Sequence, residues 1–201
     1  MLMRFSEIKK HLSSFRVGIA GAGGLGSNCA AALARSGVGT IVIADFDRVE
    51  RLNLNRQFYF EDQLGMLKTD ALKINLHKID RSLNIITHAL ELTPDNIGAV
   101  FSGCDIIIEA FDGAEMKRML IETVQNKMPG VPMIVGSGMS GWGMNELIRT
   151  RMIDESLYLC GDEQTEATDD NPPMAPRVGI VANMQANVVI DILMKKTGRL
   201  Q

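Results

Sequence analysis

The sequence predicts an α/β fold, a Rossmann-like, mostly parallel sheet with helices on both faces. Up to Asp45 the chain reads strand, glycine turn, helix, strand, which is the βαβ pattern of a parallel sheet. Beyond Asp45, short apolar runs keep alternating with helical stretches. The length of 201 residues suits one compact domain, expected to span residues 1–201, with a substantial core.

Residues 6–14 have the spacing of a short amphipathic helix. Arg16–Ala20 is an apolar strand, Gly21–Gly26 a glycine turn, and Ser27–Ser36 an Ala-rich helix that Gly37 ends. Thr40–Ala44 is the second strand, Thr69–Asp80 is helical, and Ile85–Leu90 is the third strand. Thr93-Pro94-Asp95 opens a helix with a Thr cap, Pro in the first position and then an acid. Asp105–Glu109 is the fourth strand, after which Met116, Met119, Leu120, Thr123 and Val124 share one helical face. Pro132–Gly136 is the fifth strand, Gly136–Gly143 a flexible glycine-rich connection, and Glu146–Met152 one more strand. Residues 154–176 are acidic, contain Gly and Pro and show no period, so a long mobile loop is expected there. Val178–Met194 is apolar around most of its circumference, as in a buried helix, and Lys195-Lys196 and Gly198 end it.

Hydrophobic residues make up 46% and charged residues 22%, as in an ordinary soluble globular protein. A net charge of −3 supplies no attraction for nucleic acid or an anionic membrane. No apolar run reads as long enough to span a bilayer, and Met1-Leu2-Met3-Arg4-Phe5 lacks the apolar region of a signal peptide. A cytoplasmic location is therefore expected. Cys29, Cys104 and Cys160 are odd in number and far apart, which argues against a disulfide framework. Without a Cys-x-x-Cys pair, no stoichiometric structural zinc is expected. The 13 methionines beside few aromatics suggest a soft, adaptable core, and His11, His77 and His88 read as surface residues.

Gly21-Ala22-Gly23-Gly24-Leu25-Gly26 matches G-x-G-x-x-G between a strand and a helix. Gly21 permits the tight turn, Gly23 and Gly24 let backbone approach phosphate, and Gly26 lets helix and strand pack closely. Phosphate would sit on the helix N-terminus, where free N–H groups and the dipole favour an anion. Asp45 closes the second strand, at the spacing of an acid that binds ribose hydroxyls. Together these residues predict an adenosine-containing nucleotide without separating NAD from ATP. Asp47, two residues on, reads as a turn or cap carboxylate.

Arg48–Gln57 reads RVERLNLNRQ, and Lys68 follows in GMLKTDAL. A nicotinamide enzyme has no evident need for Asn53, Arg56 and Lys68 just past the ribose acid, whereas an adenylating enzyme does. Attack of a carboxylate on the α-phosphorus builds negative charge there and on the leaving pyrophosphate, and cations on those oxygens stabilise the transition state. A solvated basic stretch is the competing reading of these residues. Asp112 lies just past the fourth strand, where ligands of open α/β sheets bind, so one carboxylate there could hold Mg²⁺ against a triphosphate. It could equally cap the helix that follows, and the residues alone leave both open.

At this point the chain resembles the ThiF/MoeB/HesA family of sulfur-carrier adenylyltransferases, relatives of ubiquitin-activating enzymes. The matching stretches are GAGGLGSN at Gly21–Asn28, IADFD at Ile43–Asp47, NLNRQ at Asn53–Gln57, Lys68, the Asp112 turn, and MAPRVGIVANMQANVVIDIL at Met174–Leu193. They run from about Phe15 to Met194, and the length looks most like compact ThiF-like proteins of thiamine biosynthesis. The resemblance implies that Gly23 and its neighbours hold phosphate, Asp45 the ribose, Asn53, Arg56 and Lys68 the ATP phosphates, and Asp112 Mg²⁺. It implies adenylation of the terminal Gly-Gly carboxylate of a ubiquitin-like sulfur-carrier protein, release of pyrophosphate, and a homodimer.

The chain also departs from that pattern. Gly113 stands where the family often has Asn, which bears on one nucleotide contact. The two zinc-binding Cys-x-x-Cys pairs of many members are absent, and Ala167–Pro173 holds no cysteine before the MAP motif. The family's N-terminal arm is short here, with Arg4 and Arg16 poor substitutes for the Arg it lends to a neighbouring subunit. Adenylation is thus expected and a thioester or persulfide step is not. Cys160, beside Asp154, Glu155, Asp162 and Glu163 in the expected mobile loop, reads as dispensable for adenylation, because carboxylates disfavour a thiolate. The alternatives are an NAD-dependent oxidoreductase, which lacks a credible proton donor, and a nucleotide-binding module without catalysis.

Overall fold

The first strand, β1 (Arg16–Ala20), explains the layering. Its side chains alternate, so Val17 and Ile19 face one side of the sheet while Gly18 and Ala20 face the other. In the computed structural model, which describes residues 3–196, every sheet-forming apolar run divides in this way. Strands β2 (Thr40–Ala44), β3 (Asn84–His88), β4 (Ile106–Glu109), β5 (Met133–Gly136), β6 (Arg149–Met152) and β7 (Leu157–Gly161) complete one sheet in the order β3-β2-β1-β4-β5-β7-β6. The pairs are parallel except β6 on β7.

Helices α1 (Phe5–Leu12), α2 (Gly24–Ser36), α3 (Lys68–Ile79) and α6 (Ala175–Lys195) share a core on the Ile19 face that includes Leu12, Leu25, Leu33, Leu72 and Val189. On the opposite face α4 (Ile97–Val100) and α5 (Ala114–Lys127) bury Val100, Leu120 and Val124 together with Phe101. Gly18 is what lets Phe101 approach: a β-carbon there would lie 2.6 Å from the ring. The chain moves outward from β1 through β2 to β3, then returns to lay β4 on the other side of β1. That reversal opens a crevice at the carboxyl ends of β1 and β4, where ligands of such sheets bind.

Several expectations need correction. Helix α2 begins at Gly24 rather than Ser27, so the end of the glycine motif lies inside its first turn. Thr93-Pro94-Asp95 forms a turn and not a helix start; Asn96 accepts the Thr93 N–H through Oδ1, and only Ile97–Val100 is helical. The segment 154–176 is not one loop, because it contains β7, seated parallel on β5 with Gly136 beside Cys160. Cys160 is therefore a fully buried strand residue and not part of a mobile segment. The expectation that no apolar stretch reaches spanning length also fails: α6 is 21 residues long and holds an 18-residue stretch with a mean hydropathy of 1.3, long and apolar enough to cross a membrane. Asn183, Gln185 and Asn187 interrupt its apolar residues without lowering the average far, and one face of this helix, through Val181 and Val189, belongs to the core beside α2. Among the described residues, only Met133 and Met194 of the methionines are buried, so methionine borders the core more than it fills it. The three histidines are half-buried rather than superficial, and His11 and His77 contact the Leu193 and Leu83 carbonyls. Gly198 lies outside the described residues.

Candidate functional site

The glycine turn follows β1 into the crevice. The Gly21 N–H donates to Ala44 O at 2.9 Å, which ties the turn to the end of β2. Gly21 has φ +97°, and a β-carbon on it would stand 2.8 Å from Ala110 O, just past β4. At Gly26 a β-carbon would be 1.9 Å from Gly21 O, so only glycine lets the first turn of α2 close on the strand end. Gly23 is the N-cap and brings no capping side chain, which leaves the first N–H groups of α2 free to receive an anion.

Asp45 sits at the next strand end. Its Oδ2 accepts the Ala22 N–H at 2.6 Å and its Oδ1 the Asp47 N–H at 2.8 Å. The acid expected to hold ribose is thus braced against the glycine turn itself. Burial pushes its pKa up, while the Ala22 N–H, the Lys68 ammonium and the Asp47 N–H pull it back. Lys68 is 6% exposed, and its Nζ lies 2.6 Å from Asp47 Oδ2. Asp47 is therefore no turn or cap carboxylate; it is the counter-ion of the buried lysine. Tyr59, also buried, joins both parts by donating to Ala22 O at 2.7 Å and lying 3.3 Å from Lys68 O.

The basic stretch exposes Arg48 and Arg51, but its backbone is tied down. A tight turn at Arg51–Asn53 is closed by Asn53 Oδ1, which accepts the Glu50 N–H at 2.9 Å, while Asn53 O receives the N–H groups of Arg56 and Gln57. Asn28 in α2 then donates to Arg56 O at 2.9 Å, and Ser27 Oγ accepts the Phe58 N–H at 3.0 Å. These bonds lay Arg56 across the helix start, with its Cγ 3.6 Å from where a β-carbon on Gly24 would be. Farther along, Gln63 and Asn75 exchange amide bonds at 2.9 and 3.0 Å and fasten the stretch to α3.

Asp112 follows β4 and is exposed. The N-cap of α5 is Gly113, with no side-chain capping bond, so the capping alternative for Asp112 falls away. No hydrogen bond or ion pair engages its carboxylate among the described residues, which leaves it as the unshared oxygen donor a hard cation takes. Its turn is positioned by Glu109, a fully buried carboxylate. Glu109 Oε1 accepts the Phe111 N–H at 2.7 Å, and Oε2 pairs with Lys117 at 2.6 Å. Lys117 also donates to Gly136 O at 2.8 Å, so one ion pair locks the ends of β4 and β5. Burial raises the Glu109 pKa against the pull of Lys117. Among the described residues, no three His, Cys, Asp or Glu side chains gather to hold a metal unaided.

Beyond β5 the chain runs through Gly138, Gly141 and Gly143, all with positive φ, to an exposed Trp142 and to Met144 at φ 47°. This connection is tied down. Gly141 N–H donates to Pro172 O at 2.9 Å, and Arg177, 1% exposed in α6, donates to Gly143 O and pairs with the buried Asp162. Burial opposes the Asp162 charge, but the N–H groups of Thr165 and Gln164 and the Arg177 guanidinium hold its pKa below the usual carboxylate value. Burial raises the pKa of the Cys160 thiol, against the pull of a hydrogen bond with Thr150 Oγ1 at 3.6 Å.

Gly21–Gly26, Asp45, Asn53, Arg56 and Lys68 are thus interconnected around one crevice, with Asp112 on its β4 side. Sequence reasoning assigned no part to Asn28, Gln57, Tyr59, Glu109, Lys117, Asp162 and Arg177. A charge ending an unbroken apolar run, as in Ile106-Ile107-Ile108-Glu109, and an arginine opening an apolar helix were the available signals.

Comparison with known proteins finds similar sequences and similar folds. A family model described as the ThiF family matches residues 2–201. The adenylyltransferase and sulfurtransferase uba4 of Ogataea parapolymorpha is 30% identical over 189 residues, covering 90% of this chain and 48% of that protein. The adenylyltransferase and sulfurtransferase MOCS3 of Caenorhabditis briggsae is 29% identical over 194 residues, covering 93% and 48%. The chain therefore spans about half the length of these relatives. Among solved structures, the E. coli tRNA N6-threonylcarbamoyladenosine dehydratase TcdA in complex with AMP superposes with a TM-score of 0.86 at 20% identity, covering 96% of this chain and 91% of that one.

Proposed function

Because the chain belongs to the ThiF family, we propose that it is a Mg²⁺-dependent adenylyltransferase that activates the C-terminal glycine carboxylate of a small ubiquitin-like sulfur-carrier protein with ATP. A carboxylate oxygen attacks the α-phosphorus, the acyl–O–P bond forms, the bond to the β-phosphate bridging oxygen breaks, and pyrophosphate leaves with that electron pair. The observation that carries this reading is Arg56 held over Gly24 at the start of α2 while Lys68 is buried one strand end away. A glycine turn alone binds phosphate; an arginine whose stem lies along it, with its guanidinium resting on Leu52 O and Asn55 Oδ1, and a buried lysine suit charge that grows during phosphoryl displacement.

Asp45 orients the ribose, Arg56 and Lys68 receive developing charge on the phosphates, and Asn53 holds the turn that presents Arg56. The free Asp112 carboxylate suits Mg²⁺, which when bound would screen the triphosphate. Names of relatives support the adenylyl-transfer half of the proposal: the uba4 and MOCS3 proteins are called adenylyltransferases and sulfurtransferases. The AMP and ATP complexes of TcdA support an adenine nucleotide as ligand. A ThiS-like carrier in thiazole assembly, a homodimer and a cytoplasmic location complete the proposal, on the strength of the resemblance and the composition.

The test is ATP–pyrophosphate exchange dependent on a Gly-Gly-ended carrier and on Mg²⁺. Arg56→Ala and Lys68→Ala are expected to lose on the order of 10²-fold in rate. Unchanged exchange in both would sink the assignment, and exchange without carrier would point to another carboxylate substrate.

A further inference from the structure

The side chain of Gln57 is buried beside the glycine turn, and among the described residues its carboxamide makes no hydrogen bond. Gln57 is 9% exposed, and its Oε1 is buried with no donor among the described residues. Its Nε2 faces the turn, 3.8 Å from where a β-carbon on Gly23 would be. The backbone on either side is fixed: Asn28 holds Arg56 O, and Ser27 holds the Phe58 N–H. The N–H of Gln57 itself goes to Asn53 O, and its carbonyl receives the Tyr59 N–H. The neighbours therefore deliver this side chain to the start of α2, yet the side chain is idle.

A buried acceptor without a donor is a standing cost to a fold. Leucine has nearly the same size and would remove that cost, so packing does not explain a glutamine at this position. A donor requirement does. Nε2 stands opposite a helix N-terminus whose unpaired N–H groups and dipole draw an anion, and no protein acceptor competes for it. Turning the amide toward a ligand breaks no bond, because neither end has one to lose.

Resting on the nucleotide reading of this turn, we infer that Gln57 is a further phosphate-binding residue, its Nε2 donating to a phosphate oxygen of the nucleotide held at Gly23–Gly24. Gln57 then favours a nucleoside phosphate over a bare nucleoside, and it keeps this contact through the adenylate, whose phosphate stays in place.

The experiment is calorimetric titration of AMP into the full chain, with melting temperatures taken on the same samples. Gln57→Leu removes the idle acceptor and the donor together. It is expected to melt no lower than the wild type and to bind AMP about tenfold or more weakly, the scale of one hydrogen bond to a charged group. Gln57→Glu puts a carboxylate against phosphate and is expected to weaken AMP further than Gln57→Leu. AMP affinity in Gln57→Leu within about twofold of wild type overturns the inference. So does a fall of affinity and melting temperature together in that variant, which marks a packing role. A wild-type chain that binds neither AMP nor ATP removes the nucleotide reading itself, and this inference with it.

Discussion

Lys68 and Asp112 are opposite cases of one problem, how to keep a charge ready for a ligand. Lys68 is buried and cannot stand alone, so Asp47 pairs with it at 2.6 Å. Asp112 is exposed, and water supports its charge. The two should respond differently to substitution. Asp112→Asn removes no bond within the described residues, so thermal denaturation should show a stability change within about 0.5 kcal/mol, as at ordinary surface sites. Mg²⁺-dependent exchange should nevertheless collapse, since a hard cation prefers the carboxylate. A variant that melts early with normal activity per folded molecule would return Asp112 to a structural part. The sequence pointed to both residues but missed the Asp47 partner of Lys68, because that pairing depends on how the intervening turn folds back.

Strand β7 shows where reading by element stopped. Leu157–Gly161 lies among acids and glycines, and a five-residue apolar run carries little periodicity by itself. Its pairing with β5 is what makes it a strand, and that contact is not visible locally. Cys160 accordingly moves from a mobile segment into the core, where all three cysteines are buried. Native protein should resist thiol alkylation at Cys29, Cys104 and Cys160 and react fully once denatured, as mass spectrometry would show. Cys160→Ser should keep pyrophosphate exchange near wild type at a stability cost of about 1 kcal/mol, with Thr150 available to the new hydroxyl. Prompt labelling of Cys160 in the folded chain would contradict its place in β7.

The same elements hang on one ion pair. Arg177 and Asp162 are both buried, and they join the start of α6 to the connection carrying Trp142 and to the segment after β7. Arg177→Met strands a buried carboxylate and should cost about 3–5 kcal/mol in urea unfolding. The pH dependence has a definite sign. The folded pKa of Asp162 is lowered from 3.8, so its contribution is complete above that value and is lost as pH falls below it. Glu109 works the other way: its raised folded pKa makes stability fall as pH rises through its window. Comparing wild type with Asp162→Asn cancels the Glu109 contribution. The wild type should lose stability faster than Asp162→Asn below about pH 4, and parallel curves would remove the charge from the account.

At the scale of the whole molecule, the fold class was legible because it rests on local signals. Apolar runs, glycine turns and acids at strand ends are written consecutively. Which side chains meet across each face of the sheet was not, since that depends on packing between elements distant in the chain. Gly18 is the clearest case. Inside β1 it could have marked a bulge, but the pairing with β2 and β4 is regular at Gly18. Its use lies across the layer, where Phe101 fills the space a side chain would take. Gly18→Ala places a methyl 2.6 Å from the ring and 3.3 Å from Cys104 Sγ, and the β-sheet backbone cannot retreat without disturbing both neighbouring strands. Overpacking of this kind should cost about 1–3 kcal/mol. Phe101→Leu alone should also destabilise, by opening a cavity at a fully buried site. Together the two changes relieve each other, because the smaller side chain leaves room for the methyl. A double-mutant cycle in urea should therefore give a favourable coupling of at least about 0.5 kcal/mol, beyond what independent sites show. Additive losses would mean that the contact between β1 and Phe101 does not set the spacing between the sheet and its α4–α5 layer.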